Sequence, residues 1–149
     1  MTMTSPNTKA TVHFAENDFF IGITPSGHAQ AIETNSERAS ASTPMELLLI
    51  ALGSCTAVDV ISILRKKRQK VTDYRVEVTG VRREEHPHSY NRLDVKHIVR
   101  GRGVSEQAVA RAIELSDTKY CSVAATLRGS AEIVSSYEIV EEDAVNAPA

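Results

Sequence analysis

The stretch from Thr43 to Lys70, TPMELLLIALGSCTAVDVISILRKKRQK, constrains this chain more than any other. Thr43 suits the N-cap, Pro44 the first helical position, and Glu46 follows three residues after Thr43. Together they make a capping box with proline at N1. At the other end Arg65, Lys66, Lys67 and Arg68 complement the negative pole of the helix dipole. Nearly everything between is apolar or small, so the pattern predicts one long helix, apolar on all sides, that other structure must wrap. At 1.5 Å per residue the whole stretch would form a rod of roughly 40 Å. That is long for a chain of 149 residues. We therefore expect a sheet around it, completed by a second subunit.

The run Leu47 to Leu64 is long enough to raise the question of a membrane span. It carries Gly53, Ser54, Cys55, Thr56, Asp59 and Ser62, and an aspartate in mid-span is costly in lipid. A buried helix of a soluble protein is the reading adopted, with no membrane partner. The chain is one domain by length, and its net charge of −2 supplies no general attraction to nucleic acid. The opening MTMTSPNTKA has no apolar h-region, so no signal peptide is expected. With two cysteines, that places the protein in a reducing cytoplasm. Cys55 and Cys121 are too far apart for a CxxC motif or a zinc knuckle.

Residues 1–8 read as a loose tail. Segments 10–15, 19–24 and 28–33 read as three strands, with a turn at Pro25, Ser26 and Gly27. A polar linker, 34–42, delivers the chain to the helix. Segments 73–82 and 90–100 alternate as a hairpin, with Tyr74, Val76, Val78 and Gly80 on one face of the first and Leu93, Val95 and His97 on one face of the second. Ser105 caps a helix to about Ser116, and 117–127 is a further helical segment carrying Cys121. A last strand spans 130–139, and 141–149 reads as a frayed tail. The order βββ-α-ββ-αα-β predicts an α+β fold built on an antiparallel sheet.

Laid out this way, the chain resembles the OsmC/Ohr family (osmotically inducible protein C and organic hydroperoxide resistance protein), and within it the YhfA-like branch. The residues that carry the resemblance are SPNTKATVHF, the SGH turn, TPMELLLIALGSCTAVDVISIL, VTGVRREE and ELSDTKYCSVAATL. The most specific are PMELLLIALGSC and ELSDTKYCSV, each with its cysteine in place. The resemblance covers nearly the whole chain. It implies an OsmC-like fold: an intertwined homodimer with two central helices enclosed by sheets from both chains.

It also implies chemistry. Many members are thiol peroxidases that reduce organic hydroperoxides without metal or cofactor. On that pattern Cys55 is the peroxidatic nucleophile, which becomes a sulfenic acid. Cys121 resolves it as a disulfide, later reduced by a dithiol of the lipoyl type. Such chemistry needs a thiolate and a second thiol that captures the sulfenate before it is oxidised further. The peroxidases of the family also carry an arginine in the N-terminal strands and a glutamate directly after the proline that opens the helix. In this chain Met45 follows Pro44, the carboxylate comes one place later at Glu46, and the first arginine is Arg38. Glu46 is kept as a candidate catalytic residue beside its reading as half of the capping box. In an unbroken helix it stands about 13 Å along the axis from Cys55 and half a turn away. The alternative function is a protein of the same fold that binds a small apolar or sulfur-containing ligand near Cys55.

The remaining candidates are weaker. Asp59 stands one turn after Cys55 on the same helix face. Cys121 has Lys119 nearby and a helix start beneath it, and both cysteines have a bland reading as small buried residues. His13, His28, His86, His88 and His97 show no metal-ligand spacing. The basic run Arg65 to Lys70 reads as a solvated helix end rather than a nucleic-acid surface.

Overall fold

The computed structural model describes residues 8–143, which gather into two compact units divided between Leu48 and Leu49. In the first, β1 (Thr11–Glu16), β2 (Phe19–Ile23) and β3 (Ala29–Glu33) form an antiparallel three-stranded meander in that order. The turn between β2 and β3 falls on the Pro-Ser-Gly segment. Its hinge is Gly27, whose φ of 84° is left-handed backbone that costs glycine nothing, and whose N–H donates to the Thr24 carbonyl at 2.9 Å. Phe14 and Phe20 meet edge to face, their centroids 5.7 Å apart.

A single helix, α1 (Pro44–Lys66), leads from this unit into the second. Its start follows the capping box: Thr43 N–H donates to the Glu46 carboxylate at 2.9 Å, and Glu46 N–H donates to Thr43 Oγ1 at 3.2 Å. Its end falls short of the expected Lys70. Arg68 turns left-handed at φ 55°, its N–H donates to the Arg65 carbonyl, and Gln69 N–H donates to the Leu64 carbonyl. This pair of bonds is a Schellman stop, and it leaves Lys67 and Arg68 outside the helix and frees Lys70 to open the next strand.

The second unit pairs β4 (Lys70–Arg82) with β5 (Tyr90–Arg102) as an antiparallel hairpin. The chain then forms α2 (Glu106–Leu115), one turn of π-helix (Ser116–Tyr120) and α3 (Ser122–Leu127). It ends in β6 (Glu132–Glu141), which joins β5 in parallel. The expectation of a purely antiparallel sheet is corrected here. The helical crossover from β5 returns the chain to the same end of the sheet, and a crossover of that length is what a parallel pair requires. The core joins three elements: Val60 and Leu64 from α1, Val99 from β5, and Ala108, Val109, Ala112 and Ile113 from α2. Each of the valine, leucine and isoleucine side chains contributes about 1.5–3 kcal/mol by leaving water.

One further expectation is corrected. Residues 141–143 do not begin a frayed tail: Glu141 pairs within β6, and Glu142 is buried with its N–H on the Gly101 carbonyl at 2.7 Å. The outer parts of both expected tails, residues 1–7 and 144–149, lie outside the described residues. Within the single chain α1 keeps an open face. It buries Leu52, Gly53, Thr56, Val60 and Leu64, while Ile50 and Val58 are 59% and 65% exposed. By length and hydropathy α1 is also long and apolar enough to cross a membrane.

Candidate functional site

The two cysteines come together. Cys55 sits mid-way along α1, half-buried. Cys121 follows the π-helical turn and caps α3, only 4% exposed. The Cys55 side chain lies near enough to Cys121 to act on its thiol. The π-turn delivers Cys121 to this place. Its extra residue closes Cys121 N–H onto the Ser116 carbonyl at 2.9 Å, and the chain then goes extended at Cys121, φ −75° and ψ 101°, before α3 begins. Single π-turns of this kind gather at functional sites. The Cys121 sulfur also accepts from Ala124 N–H at 3.4 Å.

Burial pushes the Cys121 thiol up to about 11. The Ala124 N–H works against that shift, while the Cys55 side chain and the charge of Asp59 add to it. At neutral pH Cys121 is therefore held as the thiol. Cys121 keeps its proton and faces Cys55 as a thiol, and Cys55 is the more accessible of the two sulfurs.

A buried polar chain runs beside the sulfurs. Ser116 Oγ donates to Asp59 Oδ2 at 2.9 Å and lies 2.9 Å from Thr56 Oγ1. The Ser116 hydroxyl has one proton, which goes to the carboxylate, so Thr56 is the donor in the second bond. Thr56 and Ser116 are 2% and 0% exposed. The chain ties α1 to the start of the π-turn and holds Asp59, one helical turn beyond Cys55, toward it.

A second buried pair lies on the hairpin. Tyr74 on β4 and His97 on β5 bond through the phenol and Nδ1 at 2.6 Å. Burial pushes His97 down to about 4 and keeps it neutral. It also pushes the Tyr74 phenol up, helped by the charge of Asp59. His97 Nε2 is buried without a partner among the described residues.

Glu46 does not join this group. Its carboxylate is on the Thr43 N–H, and α1 runs unbroken, so the separation from Cys55 along the helix stands. Arg38, the first arginine, is likewise engaged. Its Nε donates to the buried carboxylate of Glu33 at 2.5 Å, and that carboxylate also accepts from the Ser40 N–H and hydroxyl. The hydroxyl of Ser40 and the guanidinium of Arg38 hold Glu33 below the usual carboxylate range against its burial. His28 bonds Ser26 within its turn, and the rings of His86 and His88 lie 4.0 Å apart in the β4–β5 loop. Among the described residues no three His, Cys, Asp or Glu side chains are placed to hold a metal ion.

Sequence reasoning found both cysteines and placed Asp59 on the face of Cys55. It missed Thr56 and Ser116 as a linking pair, because two hydroxyls sixty positions apart carry no periodic signal. Tyr74 and His97 were legible in part: the alternation put each on the apolar face of its strand.

Comparison with known proteins follows the same lines. A family model described as OsmC-like protein matches residues 36–136. The chain is 45% identical over 132 residues to protein YhfA of Escherichia coli strain K12, covering 89% of this chain and 98% of that one. A crystal structure of a hypothetical protein from Aquifex aeolicus VF5 superposes with a TM-score of 0.83 at 34% identity, covering 93% of this chain and all of the other. An OsmC-like protein from Mycoplasma pneumoniae shares the fold, with a TM-score of 0.79 at 17% identity over 93% and 99% of the two chains.

Proposed function

We propose, from the premise that this chain belongs to the OsmC-like protein family, that it is a cysteine-based peroxidase for organic hydroperoxides. The observation that carries the reading is the contact between the half-buried thiol of Cys55 and the buried, protonated thiol of Cys121. The Cys55 thiolate attacks the terminal peroxide oxygen, the O–O bond breaks, and the alkoxide leaves as the alcohol after taking a proton. Cys55 is left as sulfenic acid. Cys121 then forms the disulfide and water departs. An external dithiol, for which a lipoyl-type compound is the candidate, returns both thiols by exchange.

The working assembly in this proposal is a homodimer in the cytoplasm. Support for a second copy comes from α1, where Ile50 and Val58 stand exposed to the single chain two helical turns apart. Two cysteines left as free thiols fit a reducing compartment. No nucleic acid, membrane, metal or cofactor enters the scheme. Glu46 has no part in it beyond its cap.

A second reading keeps the fold and assigns it ligand binding. It is favoured by a hollow of about 380 Å³ lined mainly by Leu49, Ile50, Gly53, Val76 and Val78, a size and lining that suit a small apolar molecule. Incubation of the purified protein with cumene or tert-butyl hydroperoxide and a dithiol separates the two. Peroxide consumption that depends on Cys55 supports the peroxidase. Cys55 remaining reduced under excess peroxide overturns it in favour of ligand binding.

A further inference from the structure

We infer that Asp59, oriented by Ser116, is the internal base that receives the Cys121 proton when the disulfide closes. The inference rests on the peroxidase reading above and assigns a residue to its second step.

The problem that needs a base is visible in the site. Cys121 must attack as a thiolate, yet its side chain is buried and held as a thiol. Solvent hydroxide and buffer are kept from a sulfur with 4% exposure. The proton has to pass to a group already inside. The Cys55 sulfenic oxygen becomes basic only as its S–O bond breaks, so it receives the proton at the end of the step and not before the sulfur attacks.

Geometry singles out Asp59. It follows Cys55 by four residues on α1, the spacing that brings side chains on one helical face to within about 5–6 Å at their Cβ atoms. Its carboxylate is fixed on Ser116, the residue whose carbonyl accepts the Cys121 N–H, which brings it to the turn that carries Cys121. Its charge is felt at Cys121. It is also held in place: Oδ2 accepts from Ser116 Oγ, which Thr56 steadies from the other side. The same Ser116 anchors the Cys121 backbone through its carbonyl. One residue thus sets both the attacking chain and the acceptor. Oδ1 has no hydrogen bond to compete with this use among those of the described residues.

The step balances. The Cys121 sulfur forms the S–S bond with Cys55 as the Cys55 S–O bond breaks. The Cys121 proton passes to the Asp59 carboxylate and from there to the departing hydroxide, which leaves as water. Cys121 is oxidised, the sulfenic sulfur of Cys55 is reduced, and no outside electron is needed. The groups around Asp59 that titrate or carry charge are Cys55 on α1, Cys121, Tyr74 on β4, and Lys66 and Tyr120, which share a groove with it.

The test uses the full chain, reduced and then mixed with one equivalent of cumene hydroperoxide. Acid quenching at intervals and mass spectrometry count the sulfenic acid and the disulfide separately. With the carboxylate as base, disulfide closure in the native protein is nearly independent of pH from 6 to 9. Asp59→Asn keeps an oxygen for Ser116 to donate to and loses the base. Closure should then slow roughly 100-fold and rise tenfold per pH unit as thiolate becomes the only route. Asp59→Glu should restore a shallow profile. A native closing rate that climbs tenfold per pH unit overturns the inference without recourse to any variant. So does Asp59→Asn closing as fast as native. If native Cys55 never reaches the sulfenic acid, the peroxidase reading falls and takes the inference with it. If it does and only the closing step disagrees, the inference falls alone.

Discussion

The phenol of Tyr74 and Nδ1 of His97 lie 2.6 Å apart between rings tilted only 8° from parallel, and no water reaches the imidazole. Burial holds His97 near 4, against 6.5 for the free side chain. The unfolded chain therefore binds a proton at pH 5 that the folded chain refuses, so stability is full above about 6.5 and is lost as pH falls toward 4. The loss across that window is about 3 kcal/mol. Urea unfolding midpoints measured from pH 7 to 4.5 should fall accordingly, and His97→Phe should flatten the slope. An equal slope in the variant would assign the acid sensitivity elsewhere.

Gly101 and Gly80 permit close approach in different ways. A Cβ at Gly101 would lie 2.2 Å from the Lys70 carbonyl oxygen, which is backbone and cannot step aside. At Gly80 it would meet the Tyr90 ring at 2.4 Å, and a ring can tilt. Gly80→Ala should cost about 1–3 kcal/mol, and Gly101→Ala more than that. Thermal denaturation of both variants checks the order, and the reverse order would mean that β4 and β5 can separate locally near Lys70.

Much of this architecture was legible because it follows from local rules. The Thr43–Glu46 box and Pro44 announced the start of α1, and the alternation from Tyr74 to Gly80 announced β4 and its half-buried face. The stop at Lys66 was hidden, since it depends on Arg68 adopting a left-handed backbone that a non-glycine residue does not advertise. The parallel pairing of β6 was hidden too. Its sequence alternates like any strand, and direction is set by the crossover through α2 and α3. At the site, the cysteines stood out by type and by family resemblance. The hydroxyls of Thr56 and Ser116 and the π-turn between Ser116 and Tyr120 became visible only once distant segments were in contact.

Glu46 and Thr43 satisfy each other's backbone N–H, which assigns them to helix stability. Thr43→Ala should lower stability by about 1 kcal/mol. Glu46→Gln retains an oxygen acceptor and should cost under about 0.5 kcal/mol. Neither should change peroxide consumption per folded protein by more than twofold. A tenfold loss in Glu46→Gln with unchanged melting would place the carboxylate in the chemistry after all.

The exposed apolar stripe of α1 bears on assembly. Ile50 and Val58 show most of their surface to solvent in the single chain. Covering them gives a second copy its driving force, at about 25 cal/mol per Å² of apolar surface removed. Light scattering should return twice the mass of the 16.3 kDa chain at micromolar concentration. Val58→Glu should shift the protein toward monomer or unfold it. A native protein that is well folded and monomeric at that concentration would rule out the dimer.

The thiol pair gives the last prediction. Brief oxidation of the native protein by an organic hydroperoxide should consume both thiols and leave an intramolecular disulfide, since the fold brings the two side chains near each other. Cys121→Ser removes the captor but not the nucleophile. In that variant Cys55 should stop at sulfenic acid, and further peroxide should drive it to sulfinic acid, a gain of two oxygens by mass. Cys55→Ser should abolish peroxide consumption altogether, because Cys121 is held as a thiol to about pH 11 and presents almost no nucleophile near neutrality. Raising the pH should revive slow oxidation of Cys121 in that variant, tenfold per unit for as long as the thiol stays mostly protonated. The native reaction should also be slower than that of a site with a free arginine at the thiolate, because Arg38 is bonded to Glu33 and a charged donor to the peroxide oxygens strengthens as well as orients the contact. Rapid consumption of peroxide by Cys55→Ser at pH 7 would reverse the two assignments and make Cys121 the nucleophile.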